Sequence, residues 1–137
     1  MKNIVFLDTN VVIDALSYRP PFGEAASAIF SLADSKKIRL SVSAVTFTTA
    51  DYVLSKHYGH DVTISKLRRF KTLCKIVALD QEITEKALDS EFVDFEDAVQ
   101  YYSALNGSAE IIITRNTKDF VASSLPVIDP VGYLKSL

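Results

Sequence analysis

Apolar and polar positions follow two rhythms along this chain: short unbroken apolar runs, and longer stretches with apolar residues every three or four positions. The clearest run is Ile4-Val5-Phe6-Leu7. Four apolar residues bounded by polar ones describe a strand buried on both faces, as a parallel sheet covered by helices requires. The run stops at Asp8. Thr9-Asn10 supply short polar side chains suited to starting a helix, and Val12, Ile13 and Leu16 follow at helical spacing. Asp8 therefore stands at the carboxyl end of a central strand, where open α/β sheets place their ligand chemistry.

The alternation continues to the end of the chain. Arg19-Pro20-Pro21-Phe22-Gly23 is a break, and Ala25, Ala26, Ile29, Phe30 and Leu32-Ala33 mark an amphipathic helix ending near Ser35-Lys36-Lys37. Ile38-Arg39-Leu40-Ser41-Val42 has period two and reads as a short second strand. Ser43 is suited to cap a helix carrying Val45, Phe47, Tyr52, Val53 and Leu54. Gly59-His60-Asp61 turns the chain, with Asp61 as the cap of a helix that turns Ile64, Leu67, Phe70 and Leu73 inward. Ile76-Val77-Ala78-Leu79 predicts a third buried strand, followed by a helix capped by Asp80 with Ile83, Ala87 and Leu88 inward.

Asp94 is the next cap, with Asp97 at the third helical position, Val99, Tyr102 and Leu105 beyond, and Gly107 closing the helix. Ile111-Ile112-Ile113-Thr114 is the most strongly β-forming stretch. Arg115-Asn116 leaves it for one helical turn through Asp119-Phe120, Pro126-Val127-Ile128 adds a short edge strand, and Pro130 opens a last helical turn. Strands alternating with helices predict an α/β fold, a parallel β-sheet of four to five strands with helices on both faces and right-handed crossovers. No repeat, linker or low-complexity stretch interrupts residues 1–137, which read as one domain with length enough for a proper core.

Composition narrows the class. With 48% hydrophobic and 23% charged residues the chain is globular, not disordered. A single cysteine, Cys74, excludes an internal disulfide and a Cys-rich zinc site, and reads as a small core residue. No charged n-region and apolar h-region open the chain, and no apolar run approaches the roughly 20 residues of a membrane helix. The expectation is a soluble, cytoplasmic protein with no membrane partner. A net charge of −2 argues against bulk attraction to nucleic acid. Lys66, Arg68, Arg69, Lys71 and Lys75 form the one obvious basic cluster, spread around their helix and not along one side. His57 and His60 flank a turn and read as surface residues, so a zinc hydrolase has no support.

The acids carry the chemistry. Three loops at or beside one edge of the expected sheet bring Asp8, then Asp94-Phe95-Glu96-Asp97, then Asn116 and Asp119. Two carboxylates ~5 Å apart repel by roughly 3 kcal/mol at an effective dielectric near 20. Several in one crevice have raised pKa values or hold a hard cation, and oxygen ligands of this kind suit Mg²⁺ or Mn²⁺. A phospho-receiver domain would need paired acids after the first strand and a Lys after the fifth; a haloacid-dehalogenase-like phosphatase would need an acid where Asn10 stands.

The chain resembles PIN-domain proteins of the VapC-like toxin ribonuclease family. The resemblance runs through Leu7-Asp8-Thr9-Asn10-Val11-Val12-Ile13-Asp14, Ser43-Ala44-Val45-Thr46, Asp97-Ala98 with Tyr101 to Ala104, and Ile113-Thr114-Arg115-Asn116-Thr117-Lys118-Asp119-Phe120. It implies an endoribonuclease whose carboxylates bind Mg²⁺ or Mn²⁺ and whose metal-activated water cuts RNA. By that resemblance Asp8, Asp97 and Asp119 are catalytic. Asp8, Asp97, Asn116, Asp119 and Glu96 are metal ligands, Asp94, Asn10 and Thr114 support them, and Arg115 and Lys118 meet the substrate. It also implies a cognate antitoxin and a homodimer paired through the early helices, Val12 to Leu16 and Ala25 to Ala33. One position departs from the pattern: the family's second acid, a Glu, falls on Thr49. Asp51, two residues on, lies about 200° around a helix and cannot stand in for it. The rival reading is a PIN module that binds RNA or antitoxin without cleaving.

Overall fold

The computed structural model describes residues 3–137. Its centre is β1 (Ile4–Leu7), flanked in parallel by β2 (Arg39–Ser43) and β4 (Ile111–Ile113). Two shorter parallel strands, β3 (Cys74–Val77) and β5 (Val127–Ile128), complete a five-stranded sheet of order β3-β2-β1-β4-β5. The apolar run at β1 is explained by its position, because both of its faces are covered. Val5 and Leu7 join Leu40, Val42 and Ile113 on one face. Over them lie Val11 and Val12 of α1 (Thr9–Ser17), Ala26 and Ile29 of α2 (Gly23–Asp34), Phe70 of α4 (His60–Lys71) and Tyr133 of α7 (Pro130–Lys135). Phe6 and Ile112 point the other way, beneath Tyr101 and Ala104 of α6 (Phe95–Asn106) and Phe120 of a 3₁₀ turn (Thr117–Phe120). Two further helices complete the layers: α3 (Ala44–Tyr58) against α1 and α4, and α5 (Gln81–Leu88) against α6.

Local capping starts most of these helices. The side chains of Asp8, Ser43, Asp80, Asp94 and Asp129 each accept a backbone N–H of the first turn that follows, worth about 1 kcal/mol apiece. Asp61 does not cap α4. Gly59 occupies the cap position without a side-chain bond, and Asp61 lies inside the first turn, where its charge meets the positive end of the helix dipole. The third strand also differs from the reading of the sequence. It runs Cys74–Val77, two residues earlier than the apolar run, and is an edge strand in which Val77 alone is buried. An edge strand needs only one inward residue, so Ile76 and Leu79 stay largely exposed. Leu88 likewise faces solvent, α5 being short and burying Ile83 and Ala87; Tyr52 and Leu105 are exposed too.

Aromatic contacts tie the helices together. Phe70 stacks on Phe30 at 4.9 Å and meets Phe47 at 5.6 Å, joining α2, α3 and α4. Lys66, one of the five basic residues, lies over the Tyr58 ring and donates to the Leu16 carbonyl at 3.0 Å, so it is spent on the carboxyl end of α1. Cys74 is free and half-buried. His57 and His60 are exposed. Among the described residues, no helix is long and apolar enough to cross a membrane.

The α1–α2 corner is tight. Tyr18 ends α1 in the left-handed region, at φ 49°, and a Cβ at position 23 would overlap the Tyr18 backbone, so the corner demands Gly23. Arg19 is held at both ends of its peptide unit. Its N–H donates to the Asp14 carbonyl, and its own carbonyl accepts from Phe22 and Gly23 at 2.8 and 2.7 Å.

Candidate active site

Asp8 is the last residue before α1 and lies at the carboxyl edge of β1, with only 7% of its surface exposed. A carboxylate in such a place must be hydrogen-bonded, and four donors surround it. Oδ1 accepts the Thr9 N–H at 2.8 Å and Gln100 Nε2 at 3.3 Å. Oδ2 accepts the Thr114 hydroxyl at 2.8 Å and Asn10 Nδ2 at 3.2 Å. Burial pushes the Asp8 carboxyl above its ordinary range; the bonds from Thr114, Thr9 and Gln100 pull the other way, and the charge of Asp119 adds to the rise. Thr114 is itself fixed, since its oxygen accepts the Asn116 N–H at 3.1 Å.

The other acids line the same cleft, a concavity of about 790 Å³ at the carboxyl edge of the sheet. Asp94, Glu96 and Asp97 enter it from the first turn of α6, Asn116 and Asp119 from the segment after β4, and Glu91 from the segment before α6. Asp97 carries the consequence of their crowding. Burial first, then the charges of Asp8, Asp94, Asp119 and Glu96, push its pKa up to about 7. Glu96, largely exposed, is also raised, by partial burial and then by Asp8 and Asp94. The cleft is thus short of positive charge, and its donors are oxygens throughout, the chemistry of Mg²⁺ or Mn²⁺. Among the described residues no three His, Cys, Asp or Glu side chains converge closely enough to enclose an ion as they stand.

A second layer lies beneath the acids. Gln100, one turn along α6 from Asp97, is wholly buried, and its Nε2 lies 2.7 Å from Thr9 Oγ1 and 3.3 Å from Thr46 Oγ1. The two threonine hydroxyls bond each other at 2.9 Å. Among the described residues Gln100 Oε1 has no partner. No pattern in the sequence marked Gln100, because a polar residue in a helix gives no periodic signal of burial. Thr49, where the resemblance places a Glu, is half-buried on α3 between Thr46 and Val53, three and four residues from them, and so shares their face of the helix. Asp51 accepts the Ser55 hydroxyl at 2.9 Å and does not line the cleft.

The basic residues divide. Lys118 lines the cleft, exposed. Arg115 does not line it: its guanidinium lies 4.1 Å from the centre of the Phe22 ring and bonds both oxygens of Asp14, at 2.6 and 3.3 Å. Its N–H donates to Asn10 Oδ1, so Arg115 supports the site through the backbone. The cleft's other cation is Arg19, which the sequence presented only as part of a break between helices.

Comparison with known proteins places the chain in a family. Residues 4–118 match the sequence profile of the PIN domain, and the chain belongs to that family. A curated relative is Ribonuclease VapC1 of Aquifex aeolicus, 27% identical over 129 residues that cover 90% of this chain and 88% of the relative. Among solved structures, a toxin–antitoxin complex from Klebsiella pneumoniae contains a chain 25% identical with a TM-score of 0.68, covering 92% of this chain and 97% of that one. A DNA-bound VapBC from Salmonella typhimurium has a chain 18% identical with a TM-score of 0.70, over 95% and 99% of the two chains; it shares the fold.

Proposed function

We propose that this protein is a divalent-metal-dependent endoribonuclease, the toxin of a toxin–antitoxin pair, acting on RNA in the cytoplasm. One observation carries the reading: Asp8, Asp94, Glu96, Asp97 and Asp119, from three separate stretches of chain, face one cleft that also holds Arg19 and Lys118. The likeness to Ribonuclease VapC1 and to the Klebsiella pneumoniae toxin–antitoxin complex supports it. Asp8, Asp97 and Asp119, with Glu96 and Asn116, would hold the ion, gathered by rotation of the exposed side chains. A bound Mg²⁺ or Mn²⁺ supplies Lewis acidity toward water and a phosphodiester oxygen. Thr114, Asn10, Gln100 and the Thr9 N–H keep Asp8 oriented, and Asp94 fixes the first turn of α6 by accepting the Asp97 N–H. Burial and its acidic neighbours raise the pKa of Asp97 to about 7 in the metal-free cleft, so Asp97 would give up its proton to hold the ion and binding would tighten as pH rises through 7. Lys118 meets the RNA backbone.

The partner side of the proposal rests on the same cleft. Val93 and Val121 stand almost fully exposed at its mouth, and a segment of an antitoxin lying across it would cover both. Two copies of the chain would pair through α1 and α2, to be tested by light scattering at micromolar concentration.

Cleavage of a panel of structured RNAs, titrated with Mn²⁺ and Mg²⁺, tests the activity. Cleavage that rises with metal, stops with chelator and is lost in Asp8→Asn supports it. Thr49, neutral where the family has an acid, favours the second reading, a PIN module that binds without cutting. RNA binding with no cleavage in any divalent metal would establish that reading instead.

A further inference from the structure

Arg19 stands in the cleft under a constraint that its neighbours create. Its Nε and Nη2 both donate to one oxygen of Asp14, at 3.1 and 2.9 Å. Asp14 is 1% exposed and already receives Arg115 at 2.6 Å on the other oxygen. One buried carboxylate thus faces two guanidinium groups, and the triad keeps a net charge of +1. Arg115 is mostly covered, 26% exposed and stacked on Phe22, so the excess charge presents itself through Arg19, 47% exposed and lining the cleft. A guanidinium has five N–H donors. Two are used on Asp14, which leaves three, in the planar fork that fits two oxygens of a phosphate. The backbone bonds at Arg19 and the demand for glycine at position 23 fix where that fork sits.

We infer that Arg19 is a phosphate-binding residue of the cleft, holding one backbone phosphate of single-stranded RNA beside the acid cluster in addition to the contact made by Lys118. Asp14 is its positioning residue: it orients the fork and, being neutralised by Arg115, leaves the charge of Arg19 available. Without Arg19, Lys118 alone would offset the repulsion between the acids and the strand they are to act on. The inference rests on the reading of the cleft as an RNA site.

The test is binding of a short fluorescein-labelled single-stranded RNA, followed by anisotropy at several salt concentrations in the non-cleaving Asp8→Asn background. Arg19→Gln keeps one donor for Asp14 and removes the charge. It should weaken binding about tenfold and reduce the slope of log affinity against log salt by about 0.7, the share of one phosphate contact on a single strand. Arg19→Lys should retain most of the slope. A purely structural Arg19 would lower the thermal midpoint and leave the salt slope alone, so a folded Arg19→Gln with unchanged affinity and slope overturns the inference. The two readings fail separately. Wild-type cleavage with an unaltered Arg19→Gln slope removes this one and spares the nuclease; a wild type that neither binds nor cuts RNA removes both.

Discussion

The hydroxyl of Thr114 donates to Asp8 Oδ2 at 2.8 Å, joining two residues 106 positions apart. Both are buried, and the same hydroxyl oxygen accepts the Asn116 N–H, so one side chain fixes the first acid of the site and the start of the last loop. Thr114→Val keeps the shape and deletes the bonds. It should cost about 1–3 kcal/mol, the penalty of leaving a buried acceptor unmade, while Thr114→Ser should recover most of it. Urea denaturation of the three proteins measures the difference.

Asp97 makes the metal-free fold sensitive to pH. Its pKa is about 7 in the folded protein, against an ordinary 3.8, so between those values the folded state binds more protons than the unfolded state. Stability should therefore fall as pH rises from about 4 to about 7, and the Asp97 contribution should level off above that. In Asp97→Asn this part of the slope should vanish. Chemical denaturation in the presence of chelator, at a series of pH values for both proteins, reads the effect; an equal slope in the two would place the charge penalty elsewhere.

Placing an acid at position 49, where the resemblance puts a Glu, probes the proposed ion site. Thr49 lies on the same face of α3 as Thr46 and Val53, one buried and bonded to Thr9 and the other lining the cleft. A carboxylate reaching within about 5 Å of a divalent ion gains several kcal/mol of Coulomb attraction at an effective dielectric near 20. Dehydration and repulsion from Asp8 and Asp97 should consume all but about 1–2 kcal/mol, roughly tenfold in affinity. Thr49→Glu is thus expected to lower the Mn²⁺ concentration for half-maximal cleavage about tenfold, and Asp51→Asn, on a side chain bonded to Ser55, to change it little.

Cys74 should be a poor nucleophile. Burial pushes its thiol up to about 12, which leaves little thiolate at pH 8. The higher intrinsic reactivity of a basic thiolate recovers part of the loss, so reaction with a disulfide reagent should be roughly a hundredfold slower than that of an unfolded control. Release to the ordinary rate in guanidinium would show that the fold, not the residue, sets it.

What the sequence disclosed depends on how far each cause reaches. The caps at Ser43, Asp80 and Asp94 were legible because a cap is a bond between a side chain and its own next turn. The central strands were legible because burial on two faces leaves an unbroken apolar run. The run Ile76 to Leu79 misled, since an edge strand buries one residue and apolar neighbours can lie exposed beyond it. The gathering of Asp8, Asp94, Glu96, Asp97 and Asp119 was legible through the loops that carry them, whereas Glu91 and Arg19 in the cleft and Gln100 beneath it were not. Gln100 is defined by partners more than 50 residues away. Arg115 stands next to Asn116 in sequence, yet its side chain turns back to Asp14, and the arginine that reaches the cleft, Arg19, belongs to a corner between two helices.

The strand order also sets a schedule. β1 is made before its partner β4, which ends at Ile113, and the Asp119 that faces the cleft comes later still. A chain growing from its amino end can pair β1 with β2 early, but one side of β1 and the floor beneath Asp8 stay open until the β4 segment has been synthesised. The acid cluster therefore comes into existence only after the β4 segment and Asp119 have been synthesised. A chain cut short before Asp119 would carry Asp8 without the site, so under the proposed function it would have no means of acting on RNA.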